Sequence, residues 1–320
     1  MPTIEHHLTP DDLAATMRDD VRLGLTGTPK TLAPKYFYDG RGSALFEDIT
    51  RLPEYYPTRA ERSILAQRAS EIAELTRART LVELGSGSSE KTHLLLGALG
   101  DAGSLTSYVP VDVSADAIGW ALPSLEETYP ELDIQGVVAD FERHLHLLPT
   151  DGPRLVAFLG GTVGNFEPAQ RAAFLRAVGD TMAPGDALLL GTDLVKDPAR
   201  LVAAYDDAAG VTADFDLNVL RVMNRSLDAD FELDGFEHLA VWNAEDEWIE
   251  MRLRSLREQT VRLAALDLEV SFAEGEEMRT EISAKFRRER VVDELAAAGL
   301  SLRGFWTDDA GDYALSLGMV

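Results

Sequence analysis

Between residues 80 and 195 the chain repeats one pattern: a short apolar run, a polar or glycine-rich break, then apolar positions at helical spacing. TLVEL (80–84) is a short apolar strand, GSGSSEKT a Gly/Ser turn and HLLLGAL the helix behind it. SYVPVDV (107–113) predicts a second strand, followed by a helix from Ser114 to Tyr129. DIQGVVADF (133–141) predicts a third strand and RLVAFLGG (154–161) a fourth. A helix over 167–182 and the strand DALLLGTDL (186–194) complete five β/α units. Strands that alternate with helices argue for a parallel, doubly wound sheet.

The flanks read differently. Thr58-Arg-Ala-Glu61 has the form of a capping box that opens a helix with Ile64, Leu65, Ala69 and Ile72 as its buried stripe. Residues 1–57 are rich in Pro, Gly and aromatics, and their periodicity is too broken for one long helix. After Lys196, residues 198–226 look helical, and FEHLAVWNAEDEWIEMRLRSLREQTVRL reads as antiparallel strands with acidic turns. A helix over 287–298 and a β-hairpin, SLRGFWTDDAGDYALSLGMV, close the chain. The simplest division is a doubly wound domain of residues 58–195 and 285–320. A second domain then combines residues 1–57 with the insert 196–284.

Composition narrows the function classes. With 320 residues, about two domains are expected. Thirty Lys and Arg against fifty-five Asp and Glu leave a formal charge of −25. Such a field repels phosphate backbones and anionic bilayers, so neither nucleic acid nor a membrane is an expected partner. No apolar run approaches the ~20 residues that span a bilayer, and the start lacks a basic stretch followed by an apolar core. A cytoplasmic protein is expected. The absence of cysteine excludes disulfides, a thiol nucleophile and thiolate metal sites.

Gly85-Ser-Gly87-Ser-Ser-Glu-Lys91-Thr92 stands at a strand-to-helix junction, where backbone N–H groups favour ligand approach. A P-loop needs Gly where Glu90 stands, and a carboxylate there would repel triphosphate. A dinucleotide fingerprint also needs its third Gly at position 90. Glu83-Leu-Gly85-Ser-Gly87 instead matches the E/D-x-G-x-G turn of methyltransferases, whose cofactor S-adenosylmethionine (SAM) carries no phosphate. A bare βα turn is the plain alternative. Asp112 ends the second strand, where a carboxylate can accept both ribose hydroxyls. Asp140-Phe141 ends the third and suits an adenine. Gly160-Gly-Thr162-Val-Gly-Asn165 follows the fourth, at the crevice edge where ligands of such folds bind.

The histidines predict little: His144-Leu-His146 lacks a third ligand, and His6, His7, His93 and His238 show no ligand spacing. No metal is expected. Tyr36, Phe37, Tyr38, Phe46, Tyr55 and Tyr56 crowd one segment. Phe37 and Tyr56 are expected to pack the second domain. The others suggest an aromatic pocket that orients a small polar substrate and favours a cation.

Longer strings carry a resemblance. PKYFYDGRGSALFEDITRLPEYYPTRAE, LVELGSGSSEKT, FLGGTVGNF, LLLGTDLVKD, AYDDAAGVTADF and EEMRTEISAKF are similar to the SAM-dependent histidine Nα-methyltransferase family of ergothioneine biosynthesis, over nearly the whole length. The resemblance implies an α/β fold, with a Rossmann-like class I methyltransferase core and a second α+β substrate domain. The terminal hairpin fits, since it separates a methyltransferase-type sheet from an all-parallel dinucleotide sheet. The implied activity is transfer of three methyl groups from SAM to the α-amino nitrogen of L-histidine, giving hercynine. The protein is expected to act as a monomer.

Carried over residue by residue, the family's cofactor contacts fall on Gly85, Gly87, Lys91, Asp112, Asp140 and Phe141, with Gly160 and Thr162 nearby. Its substrate carboxylate contacts fall on Tyr55, Asn165 and Tyr205. Its imidazole contacts fall on Tyr38, Glu281 and Ser283, with Met251 beside the ring and Phe46 near the amine. No base is assigned: bulk water through a hydrogen-bond chain can take the amine proton, and Tyr38 is the side-chain candidate. Tyr36 and Ala284 stand where relatives can carry Trp and Cys, and Arg252 replaces an apolar residue. The rival readings are a same-fold methyltransferase acting on another amino acid or amine, a non-catalytic SAM-binding regulator, and a dinucleotide oxidoreductase disfavoured by Glu90.

Overall fold

The computed structural model describes residues 3–87 and 91–320. The sequence argument about Glu90 concerns a position outside the described residues. The chain divides into two compact units, one of residues 1–8, 57–195 and 285–320, the other of 9–56 and 196–284.

The first unit is built on an eight-stranded sheet, in the order Thr3–His6, Asp133–Val138, Ser107–Asp112, Thr80–Leu84, Arg154–Phe158, Ala187–Asp193, Tyr313–Met319, Ser301–Thr307. The first six strands are parallel, and the last two form the antiparallel hairpin that closes the sheet. The central runs TLVEL and RLVAF are buried at every position, as expected of strands covered on both faces. Helices Pro57–Thr76, His93–Asp101, Ala115–Thr128, Pro168–Asp180 and Arg288–Ala297 complete the unit. The strand order reverses at Thr80–Leu84: the next two strands lie to one side, and Arg154–Phe158 to the other. Ligands of doubly wound sheets bind at such a switch point, beyond the carboxyl ends of the strands.

The second unit combines a four-stranded sheet, a two-stranded ribbon and helices. Lys30–Thr31, Glu277–Ala284, Trp248–Ser255 and Phe236–Asn243 form the sheet, in that order. Helices Pro10–Thr26, Gly40–Arg51, Pro198–Tyr205 and Val211–Leu227 belong to the same unit. Its core gathers Met17, Val21, Leu25, Phe37, Phe215, Val219 and Met223 with Ile249, Met251 and Leu253.

Three expectations change. Residues 3–6 leave the second domain, because Thr3–His6 adds a parallel edge strand beside Asp133–Val138. The N-terminal segment holds a 17-residue helix after all, capped at Thr9 by a reciprocal pair of bonds with Asp12. Thr58 and Glu61 form no capping box: the helix starts at Pro57, and Glu61 is fully buried on the stripe of Ile64, Leu65 and Ile72. No helix among the described residues is long and apolar enough to cross a membrane.

Candidate functional site

In the first unit the candidate residues meet at the carboxyl ends of the central strands. Gly85 and Gly87 have φ of 70° and 50°, the left-handed region that a side chain disfavours. The turn is held from the neighbouring strand: Gly85 and Ser86 donate to the Val111 carbonyl at 2.8 and 3.1 Å. Gly87 N–H donates to Asp112 Oδ2 at 3.0 Å, while Asp112 Oδ1 accepts from Ser114 N–H at 2.9 Å. Burial pushes the Asp112 carboxyl above its ordinary range, against the lowering by those backbone N–H groups. Asp112 is therefore both a strand end and the clasp of the glycine turn.

Asp140 differs from its expected place at a strand end. That strand stops at Val138, and Asp140 caps the short helix Phe141–His144 by accepting from Glu142 N–H at 2.9 Å. The Phe141 ring comes within 3.8 Å of where a Cβ on Gly85 would stand. Across the switch point, Gly160 has φ of 76°, with Thr162 Oγ1 and Lys91 Nζ 3.6 and 3.8 Å from its Cβ position. Asn165 ends the 3-10 turn Thr162–Asn165 just beyond.

One residue of this cluster was misread from sequence. Glu61 accepts from Gly160 N–H at 2.8 Å, from the Tyr313 hydroxyl at 2.9 Å and from Lys91. Gly191 makes room for it, since a Cβ there would overlap Glu61 Oε1 and the Tyr313 oxygen. The signal was available, because position 61 continues the apolar stripe of its helix. A carboxylate there had to find donors inside.

Glu83, the acid of the glycine motif, is also buried. It accepts from the Thr92 and Tyr108 hydroxyls, and desolvation pushes its carboxyl up to about 7.

In the second unit, edge-to-face contacts run from Tyr38 to Phe46 (5.7 Å between centroids), to Tyr55 (6.2 Å) and to Tyr205 (6.2 Å). Their placement begins at Asp39, which accepts from Gly42 N–H at 2.8 Å, from Asn218 Nδ2 at 2.8 Å and from Arg225 at 2.9 Å. Gly42 is obligatory, because a Cβ there would overlap the Phe37 carbonyl. Glu281 and Ser283 share one face of their strand, paired in register with Met251 and Ile249. The Ser283 hydroxyl lies 2.7 Å from the Tyr205 hydroxyl. Tyr205, Met251, Glu281 and Ser283 are all buried. Arg252 points to the opposite face and binds Glu250 and Glu277. Phe37 is fully buried in the core, and Tyr56 carries Lys196, which donates to its hydroxyl at 2.7 Å.

A sequence model of histidine-specific, SAM-dependent methyltransferases matches residues 17–319. The chain belongs to this family. Among similar methyltransferases is the histidine N-alpha-methyltransferase of Mycolicibacterium smegmatis, 58% identical over 98% of each chain. That of Mycobacterium tuberculosis is 55% identical over the same shares. Ergothioneine biosynthesis protein 1 of Neurospora crassa is 35% identical over 61% of this chain and 23% of its own length. In this methyltransferase Gly85, Gly87, Lys91, Asp112, Asp140, Phe141, Gly160, Thr162 and Asn165 lie in the first unit. Tyr38, Phe46, Tyr55, Tyr205, Met251, Glu281 and Ser283 lie in the second.

Proposed function

We propose that this methyltransferase transfers three methyl groups from SAM to the α-amino nitrogen of L-histidine, giving hercynine in ergothioneine biosynthesis. The observation that carries the reading is the 58% identity to a histidine N-alpha-methyltransferase along 98% of both chains. The first unit suits an adenosyl ligand. Its glycine turn leaves backbone accessible, the Asp112 carboxylate borders that turn, and an aromatic ring flanks Gly85. When bound, SAM supplies an electrophilic methyl group on a sulfonium.

Asp112 would accept the ribose hydroxyls, Asp140 and Phe141 would receive the adenine, and Lys91 with Gly160 and Thr162 would hold the amino-acid end of SAM. Tyr55, Tyr205 and Asn165 would bind the substrate carboxylate. Glu281 and Ser283 would read the imidazole edge from one side and Tyr38 from the other, with Met251 beside the ring. Phe46 stands near the amine in this assignment. Its face, like those of the neighbouring tyrosines, tolerates the fixed positive charge that remains after the third transfer. Catalysis then rests on alignment of nitrogen, methyl carbon and sulfur. The amine must give up its proton first. A hydrogen-bond chain of water can carry it to bulk solvent, and the Tyr38 hydroxyl is the side chain that can relay it, giving up its own proton as it accepts one.

The same proposal takes the protein to work as a cytoplasmic monomer without a metal. Incubation with SAM carrying a labelled methyl group and each of several amino acids tests it. Histidine gaining one, two and three methyl increments is the expected result, and methylation confined to another amino acid would replace the substrate.

A further inference from the structure

His238 is a buried histidine whose two ring nitrogens both face oxygen. Nδ1 lies 2.7 Å from Asp216 Oδ2, and Nε2 lies 2.8 Å from the backbone carbonyl of Tyr205. The imidazole and the carboxylate side chains are 1% and 0% exposed. A carbonyl oxygen only accepts, so Nε2 must carry a hydrogen. The hydrogen between Nδ1 and Oδ2 then belongs to one of two groups, and the ring nitrogen is the more basic by about 2.5 units. A neutral imidazole would leave the proton on the weaker base.

We propose that His238 is held as an imidazolium that positions Tyr205, so that selection of histidine depends on a charge that need not touch the substrate. Tyr205 is the last residue of helix Pro198–Tyr205, and a cation at its carbonyl complements the helix end. The Tyr205 hydroxyl in turn meets Ser283 at 2.7 Å. His238 pairs in register with Leu253, two residues along the same strand face from Met251, whose own partners are Ala240 and Glu281. The helix-end carbonyl and the sheet face that carries Glu281 and Ser283 are thereby tied by one ring.

The charges around it agree. Asp216 approaches from helix Val211–Leu227 and Asp206 from the turn after Tyr205. Across the strand the neighbour is apolar Leu253, while Arg252 and Arg254 project from the other face and bind Glu250, Glu277 and Glu237. Burial alone would lower the titration of His238. The bond and charge of Asp216 and the Tyr205 carbonyl outweigh it, so the ring titrates above the ordinary histidine value. The second oxygen of Asp216 has no hydrogen-bond partner among the described residues, so compensation of its charge falls on the imidazole.

His238 is a positioning residue in this scheme, which rests on histidine being the substrate. Two measurements on the full chain test it. In long-range nitrogen–proton correlation spectra, both ring nitrogens of His238 should show the protonated state at pH 7, above the ordinary histidine value. A neutral ring at pH 7 would overturn the proposal. His238→Asn, which keeps one donor without the charge, should raise KM for histidine at least about tenfold, with kcat changed less than about threefold and SAM affinity unchanged. Wild-type KM in that variant would equally overturn it. Asp216→Asn covers the case in which the first variant fails to fold. Its histidine KM should be raised severalfold over the wild-type value at about pH 7 to 8, and that ratio should fall as pH is lowered below the ordinary histidine range, where the ring regains its charge. A ratio constant with pH would overturn the charge dependence. Failure of the wild type to methylate histidine would instead strike the substrate reading and leave the spectroscopic result standing.

Discussion

The hydroxyls of Tyr205 and Ser283 meet at 2.7 Å although 78 positions separate the two residues in the chain. Each comes from a different element, the last residue of a helix and the next-to-last residue of a strand, so the bond fixes the spacing of two groups assigned to the substrate. Tyr205→Phe and Ser283→Ala should each raise KM for histidine by about tenfold, roughly the loss of one buried hydrogen bond. Because they share that bond, the double variant should lose less than the sum of the singles, by about 1 kcal/mol. KM determinations on the four proteins at saturating SAM measure the coupling. Strict additivity would mean that the bond does not contribute to recognition.

Asp112→Ala should weaken SAM binding by about 1–3 kcal/mol, the scale for charge-assisted hydrogen bonds. The geometry adds a second route to the loss, since the carboxylate also holds Gly87 N–H at 3.0 Å. Asp112→Asn keeps an acceptor for that N–H and should lose less than the alanine variant. Calorimetric titration with SAM separates the three proteins, and equal affinity throughout would remove Asp112 from the cofactor site.

Much of the first unit is legible because its strands are nearly continuous apolar runs and its breaks are glycines. The edge strand Thr3–His6 escapes the same reading: all four of its residues are exposed, so no apolar pattern marks it. The helix Pro10–Thr26 carries its stripe plainly in Met17, Val21 and Leu25, but it abuts a segment dense in turn formers. Glu61 was hidden by a local motif, Thr-x-x-Glu, that outweighed its place on the stripe. His238 shows no local signal at all. Its meaning comes from Asp216, 22 residues earlier, and from a backbone carbonyl that has no sequence signature.

Glu61 ties the Gly160 turn, the Tyr313 hydroxyl and Lys91 to one helix. Glu61→Ala should cost about 3 kcal/mol of stability. That is the lower end of the range for breaking a buried pair, because the Lys91 side chain is a quarter exposed. Glu61→Gln can still accept from Gly160 and Tyr313, and should cost less stability while weakening SAM binding through Lys91. Urea unfolding and SAM titration on both variants check this. Glu61→Gln with wild-type SAM affinity would make the carboxylate purely structural.

Glu83 gives a pH dependence of stability with a definite sign. Its carboxyl is raised from 4.5 to about 7 by burial, so the folded state binds this proton more tightly than the unfolded one. The resulting stabilisation is complete below about pH 4.5 and is lost as pH rises through 7, about 3 kcal/mol in all. Glu83→Gln stays neutral at every pH. Relative to wild type it should therefore gain stability between about pH 5 and pH 8, and a difference in unfolding free energy independent of pH would refute the assignment.

The last prediction concerns how histidine is told from other aromatic amino acids. Glu281 is buried on the strand face it shares with Ser283, with Met251 as its register partner. An ionised carboxylate accepts only, so it can take a ring N–H from imidazole, whereas a phenyl ring offers none. Glu281→Ala should raise KM for histidine at least about tenfold, about 1.4 kcal/mol, with SAM affinity nearly unchanged. The same change should narrow the preference for histidine over phenylalanine, because it removes an acceptor that only a ring N–H can use. Initial rates for the two amino acids with wild type and variant give the ratio directly. If the advantage of histidine over phenylalanine survives undiminished, the imidazole is read elsewhere, and Ser283 and Tyr38 become the groups to replace next.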